Sequence, residues 1–503
     1  MEALDEHFHF MAGKFNWMEI KTAAQASKER FDKGEPLSKL DGIPFIVKDE
    51  MSVKGLLELV GTNPRDPKNP RLNKYATKND PVVQALLDAG AILFGTSVMH
   101  EYGISPVGYN VWHHGPLNAF DRSRYTGGSS SGSATGVALG IFPFAIGFDG
   151  GGSVRIPASW SGVVGAIPTF GTVRYENAET EIFTTLHCGP ITTSVADAAI
   201  VLSVMANTKH DGELKKLTGN RTDIVLPGEH SFDRIYHEKF GSPMPKIDFC
   251  PLYTEDPAFT VGYDTAWVED SDPEIKAMFY EVRDWINQQE GWAIQDDFVM
   301  THWKHQTLAH TLTIASEFHQ AHKDDKLSIL EPNTKVPGQT PFCTPAVFPQ
   351  ISLALGSNID DSITDAAERM KRWASEQWME QFEKMDVVMT PAMALPAQPI
   401  KAGVDAHGLF DATLISKMLK YIWPSNLMGF PSLTVTIKNN KDELPIGIQV
   451  ICRPFEEGKC FAIAKKIEEH FTSQRKHPEQ WGADEGKRPR WGWVDIFDGI
   501  EGK

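Results

Sequence analysis

Two glycine-rich segments lie close together in this chain, and both carry serines. The first, Gly127-Gly128-Ser129-Ser130-Ser131-Gly132-Ser133, has three readings. As a flexible linker it should sit between polar stretches, yet it runs straight into small and apolar residues. As a phosphate cradle it lacks the Lys-Ser/Thr that closes G-x-x-x-x-G-K-[ST]. The G-x-S-x-G spacing of a nucleophile elbow fits Gly128-Ser129-Ser130 only if the mismatch at the second glycine is ignored. The second segment, Asp149-Gly150-Gly151-Gly152-Ser153, frees the backbone to turn its N–H groups into one concavity able to hold an anion. A hydroxyl directly after such a nest stands where a nucleophile belongs relative to an oxyanion hole. A tight strand-to-helix turn explains the same five residues equally well.

A serine nucleophile needs a base. None of the 17 histidines stands in a motif that nominates it. His302, His305 and His310, with His319 and His322, share one helical stretch and read as a solvated polar face. H-E-x-x-H is missing, so a zinc hydrolase has no support. Lys48 ends the apolar run GIPFIVKD. A lysine desolvated at the mouth of a buried strand can lose its proton and act as a base, although in isolation a salt-bridge role explains it too.

The elements that must position these residues have the rhythm of an α/β protein. Residues 18–32 read as a surface helix ending at Gly34. Residues 42–47 form a short buried strand, 81–90 an amphipathic helix stopped by Gly90, and 91–95 a second strand. Residues 134–140 read as a small-residue helix and 142–148 as a strand. The stretch 189–205 reads as a single helix with Ser194 as its N-cap. Later come a long amphipathic helix over 363–386, strands at 387–390, 432–437 and 446–452, and a helix over 457–470. The segments 209–229 and 331–339 look like surface loops, and Trp481, Trp491 and Trp493 fall in a polar, aromatic tail. No internal repeat is present.

The 503 residues carry a net charge of −17, which excludes a general nucleic-acid coat. Composition is that of an ordinary globular protein, with 41% apolar and 23% charged residues. Five cysteines with long spacings and no C-x-x-C argue for reduced, buried thiols rather than a disulfide framework. The acidic first residues lack a signal-peptide pattern and no run approaches a membrane span, so the expectation is a cytoplasmic protein.

Taken together, Lys48, Ser129 and Ser153 and their surroundings resemble the amidase signature family. GIPFIVKDEMSVKG is similar to its lysine segment, and DPVVQALLDAGAILFGTSVMHEYG to the helix, strand and loop that follow. SRYTGGSSSGSATGVALGIFPFAIGFDGGGSVRIPASWSGVVGAIPTFG is similar to the signature itself. GPITTSVADAAIVL and FPSLTVTIKNNKDELPIGIQVICRPFEEGKCFAIAKKIE match later landmarks. The resemblance implies a single large α/β domain over 1–503, with a mixed sheet covered by helices on both faces. Its catalytic core would span about 40–205 and 385–470, and a divergent substrate-pocket region about 206–384. It implies a Ser–cis-Ser–Lys triad: Lys48 as base, Ser129 as bridge on a cis peptide bond, and Ser153 as nucleophile. The N–H groups of Gly150, Gly151, Gly152 and Ser153 would form the oxyanion hole, with Ser130, Asp149 and Arg155 in support. The implied reaction is hydrolysis of a linear carboxylic amide, a small molecule, with no cofactor and no metal.

Some positions depart from the family pattern. Ser131 replaces a glycine, Gly150 stands where Thr or Ile is usual, and the lysine of C-G-V-V-G-L-K-P-T is missing from residues 161–169. Two other readings stay open: an acyl transferase making an amide or ester on the same triad, and a catalytically weakened relative acting as a binding protein. A component of a tRNA amidotransferase would need partner subunits, which nothing in the sequence signals. A homodimer is also kept open. Trp267, Trp285, Trp292, Trp303, Trp373 and Trp378 fall in or beside the divergent stretch, where core packing and pocket walls compete as explanations.

Overall fold

The protein is described from a computed structural model covering residues 2–13, 16–65, 72, 74–175, 184–206, 258–296, 298–322 and 361–478. Ten strands form one mixed sheet: β1 (Pro44–Lys48), β2 (Ile92–Ser97), β3 (Phe144–Asp149), β4 (Val164–Ile167), β5 (His187–Thr192), β6 (Thr260–Gly262), β7 (Ala293–Gln295), β8 (Val387–Pro391), β9 (Ser432–Asn439) and β10 (Pro445–Cys452). Their order is β2-β1-β3-β5-β4-β9-β10-β8-β6-β7. β1 runs parallel to β2 and β3, whereas β3 pairs antiparallel with β5.

Strand residues alternate between two cores because a strand's side chains point to opposite faces with period two. Phe45 and Val47 of β1, with Phe144, Ile146 and Phe148 of β3, enter the larger core. Ile46 and Ala145 face the other way, against Ala134 and Val137 of the helix Ser131–Ala138. Both faces are thus covered, as expected of a large α/β domain.

The stretch 189–205 does not form one helix. Its first residues complete β5, zipped antiparallel along β3, and the helix Val195–Ala206 begins only afterwards. Sheet pairing overrides local propensity there, while Ser194 Oγ still accepts from Asp197 N at 3.1 Å, as an N-cap should. A second correction concerns the thiols. Cys452 and Cys460 form a disulfide, their Cα atoms 5.9 Å apart where the end of β10 meets the first turn of the helix Glu457–Phe471. Neither the odd count nor the spacing signals that pairing, which depends on the strand and helix folding back together. Cys188 is free and buried, and the two other cysteines lie outside the described residues.

Trp267 and Trp378 are core residues, buried with Trp423, Phe382 and Phe430, and Trp285 and Trp292 pack against the main core. Packing is therefore the account of these four. The loop readings at 209–229 and 331–339, and the aromatic tail, fall outside the described residues. Among the described residues no helix is long and apolar enough to cross a membrane.

Candidate active site

Lys48 closes β1 on the face of Ile46, so the strand's own alternation aims it toward the helix Ser131–Ala138. It is only 2% exposed. Its Nζ donates to Ser129 Oγ at 2.8 Å and lies 3.5 Å from the Phe148 carbonyl oxygen. A turn after β1, closed by Met51 N on Lys48 O, folds Glu50 back so that Oε1 sits 2.5 Å from Nζ. The sequence reading missed this buried carboxylate, since only its place two residues after Lys48 hinted at it. It places a second buried ionisable group against the amine.

Ser129 sits two residues before the helix Ser131–Ala138, and the Gly128–Ser129 peptide bond is cis. Glycine is required at 128, because a Cβ there would stand 2.5 Å from Gly108 Cα. Ser130 N donates to Ser153 O at 3.1 Å, which ties the two serine-bearing turns together, and Ser130 Oγ donates to Phe148 O at 3.3 Å. Ser131, the departure from glycine, is accommodated in the first turn of the helix with its hydroxyl on Val98 O at 3.4 Å.

Asp149 and Arg155 brace the second turn. Both are wholly buried, and Arg155 grips the carboxylate in two-pronged fashion, Nε to Oδ2 at 3.0 Å and Nη2 to Oδ1 at 2.9 Å. Arg155 also donates to Ile422 O, Ser432 Oγ, Gln449 Oε1 and Asn426 Oδ1, so its charge is fully solvated by the fold. Burial alone would push the Asp149 carboxyl up, but Arg155 and Asn426 override it and hold it well below the usual range.

Ser153 follows this brace, half-buried. The expected oxyanion set needs one correction. Gly152 N is engaged, donating to Asp149 Oδ1 at 2.6 Å, so it is not available to a substrate oxygen. Among the described residues the N–H groups of Gly150, Gly151 and Ser153 donate to no protein acceptor. The structure thus joins Lys48 to Ser129 through side chains, and Ser130 to Ser153 through backbone. No hydrogen bond links the hydroxyls of Ser129 and Ser153, and such bonds are often long before substrate binds.

The histidine stretch divides. His302 and His305 are exposed, as a polar face predicts. His310 is not: it is buried, and its Nε2 lies 2.9 Å from the Gly150 carbonyl oxygen. That is the second residue the sequence reading missed. Its placement depends on how the helix Trp303–His322 docks, which no local pattern reveals. His100 and His187 are buried near the same site, the backbone N–H of His100 donating to Ser129 O at 3.1 Å.

Burial pushes His100, His187 and His310 each down to about 4 from 6.5. Above about pH 6.5 neither state protonates these rings, so they add no pH dependence. Between 6.5 and about 4 the unfolded chain binds protons that the folded rings refuse, so stability falls with pH in that window. Asp149 extends the loss below about 3.8, where its brace becomes protonated on unfolding. Burial raises Glu457 and Glu468, which act in the opposite sense. These wide histidine shifts, with that of His113, which burial also pushes down to about 4, set the outcome. Calorimetry should show a Tm several degrees lower at pH 4.5 than at pH 7, with net proton uptake on unfolding. An unchanged Tm would contradict the neutral buried rings.

The amidase family model matches residues 7–461. A fatty acid amide hydrolase of Oryza sativa subsp. indica is 29% identical over 465 residues, covering 92% of this chain and 70% of that protein. A glutamyl-tRNA(Gln) amidotransferase component from Koribacter versatilis is 27% identical, covering 89% of this chain and 88% of its own length. Among solved structures, a bacterial aryl acylamidase of the amidase signature family superposes with a TM-score of 0.72 at 21% identity, over 93% of this chain and 90% of that one.

Proposed function

This chain belongs to the amidase family, and from that premise we propose that it hydrolyses a linear carboxylic amide through a serine acyl-enzyme. The observation that carries the reading is the buried Lys48 amine on Ser129 Oγ, beside a braced glycine turn that ends in Ser153. In this reading Ser153 Oγ attacks the carbonyl carbon and passes its proton through Ser129 to Lys48, which accepts it as the free amine. The carbonyl oxygen, now anionic, is met by backbone N–H groups of the turn. Collapse breaks the C–N bond while Ser129 delivers a proton to the departing nitrogen, which leaves as a neutral amine or ammonia rather than an anion. Water then takes the place of Ser153 Oγ, and the same relay run in reverse frees the acid.

We assign the whole chain to one catalytic unit, with residues within 206–384 shaping the substrate side. In support, the helix Trp303–His322 reaches the glycine turn through His310. For the substrate we propose neutral amides with an apolar acyl group. The net charge of −17 disfavours anionic ligands, and the plant relative is a hydrolase of fatty acid amides. A long-chain or phenylacetyl primary amide should give a kcat/KM at least about ten-fold above that for glutamine, a modest discrimination of about 1.4 kcal/mol. Faster turnover of glutamine would favour the amidotransferase-like reading instead.

A further inference from the structure

The glycine turn has an external support that the catalytic set does not include. His310 comes from the helix Trp303–His322, far from the signature in sequence, and is only 3% exposed. A carbonyl oxygen can only accept, so the 2.9 Å contact to Gly150 O fixes the proton on Nε2. The ring also lies flush against the next residue: a Cβ on Gly151 would stand 3.0 Å from His310 Cε1.

This contact acts on the direction of a peptide plane. The Gly150–Gly151 bond is trans, and in a trans amide the C=O and the following N–H point opposite ways. Holding Gly150 O on His310 therefore turns the Gly151 N–H to the opposite side. The next plane is held at its other end, by Gly152 N on Asp149 Oδ1 at 2.6 Å. With glycine on both sides of the first plane, no side chain restricts its rotation. A flip would aim a carbonyl oxygen, rather than an N–H, to the side that Gly151 N–H now faces, and would repel a developing oxyanion there.

We infer that His310 is a positioning residue for the oxyanion hole: through Gly150 O it locks the peptide plane that presents Gly151 N–H to the reacting carbonyl oxygen. The inference rests on the reading of Ser153 as nucleophile, and it adds a residue from the divergent region to that site. His310 touches no reacting atom, so its effect must appear selectively where negative charge develops on the oxygen.

The test compares His310→Phe, which keeps ring volume but loses the donor, with His310→Gln, which keeps an N–H donor. Both are assayed on a primary amide, alongside Ser153→Ala. Removing a full oxyanion donor costs about 10²–10³ in rate, so loosening one should lower kcat by about 10–100-fold, with KM changed less than about three-fold. A trifluoromethyl ketone matching the acyl group, which adds to a serine as an oxyanion, should bind weaker by the same factor. The corresponding alcohol, which cannot add, should bind as to the wild type. His310→Gln should recover most of the loss. If His310→Phe does not fold, His310→Leu against His310→Gln carries the same comparison. Wild-type kcat in the donor-less variant would overturn the inference, as would equal weakening of ketone and alcohol, or no rescue by Gln. An active His310→Phe beside a dead Ser153→Ala overturns this inference alone, whereas an active Ser153→Ala overturns the serine reading and the inference with it.

Discussion

Ser153→Ala should abolish amide turnover while leaving the fold in place. Removing a nucleophile that forms the acyl-enzyme eliminates the pathway rather than slowing one step, and losses of about 10³-fold or more are the expected scale. The fold should not notice, because the residue's visible structural work is done by its backbone: Ser153 O accepts from Ser130 N at 3.1 Å, which alanine preserves. The side chain is half-buried and loses only one oxygen. A fluorophosphonate probe makes the assay independent of the natural substrate, since it labels only an activated serine. The wild type should be labelled once per chain and Ser153→Ala not at all, with unchanged Tm. Retention of more than about one part in a hundred of the activity is too much for a missing nucleophile and would show that another group attacks.

What made Ser153 readable was local. A nest of glycines before a hydroxyl is a backbone requirement written directly into the residue types, and the structure bears this out at Gly152, whose φ of 109° and Cβ clash with Ile422 only glycine tolerates. Lys48 was readable for a similar reason: an apolar run that ends in a charge tells where a buried strand opens. The strands at 42–47 and 91–95 and the helix between them likewise follow from periodicity confined to a dozen residues.

What could not be read depends on chain segments that meet only in the folded protein. His310 looks like its neighbours His302 and His305 on the same helix, and differs from them only because that face docks on the glycine turn. Gly152 N–H looked like an oxyanion donor until the Asp149 carboxylate, turned inward by Arg155 and Asn426, engaged it. Residues 189–192 read as the start of a helix, and only the partner strand makes them part of β5. For the helix and for β5 the deciding partner is a contact the local pattern does not encode, and in the helix's docking it stands about 160 residues away in the chain.

The second large effect is expected at Lys48, and its size matters less than how it combines with Ser129. Lys48→Arg places a guanidinium where a proton must be accepted, and a guanidinium stays protonated throughout the usable pH range. The expected loss is about 10²–10⁴-fold in kcat, the range for removing a general base. Nζ reaches Ser129 Oγ at 2.8 Å, and no hydrogen bond runs from it to Ser153. In the proposed relay a proton from Ser153 arrives at the lysine by way of the Ser129 hydroxyl, so Ser129→Ala should cost about as much as Lys48→Arg. Residues that act as one unit are strongly non-additive. The double variant should accordingly lose no more than about three-fold beyond the worse single variant, whereas independent contributions would multiply. Lys48→Arg has a structural cost as well, since the larger head group must fit beside Glu50 in a fully buried pocket. Comparing Lys48→Met, which removes the amine without adding a larger head group, separates that cost by Tm. If the two single losses multiply in the double variant, Lys48 and Ser129 serve different steps, and the relay is wrong even though each residue matters.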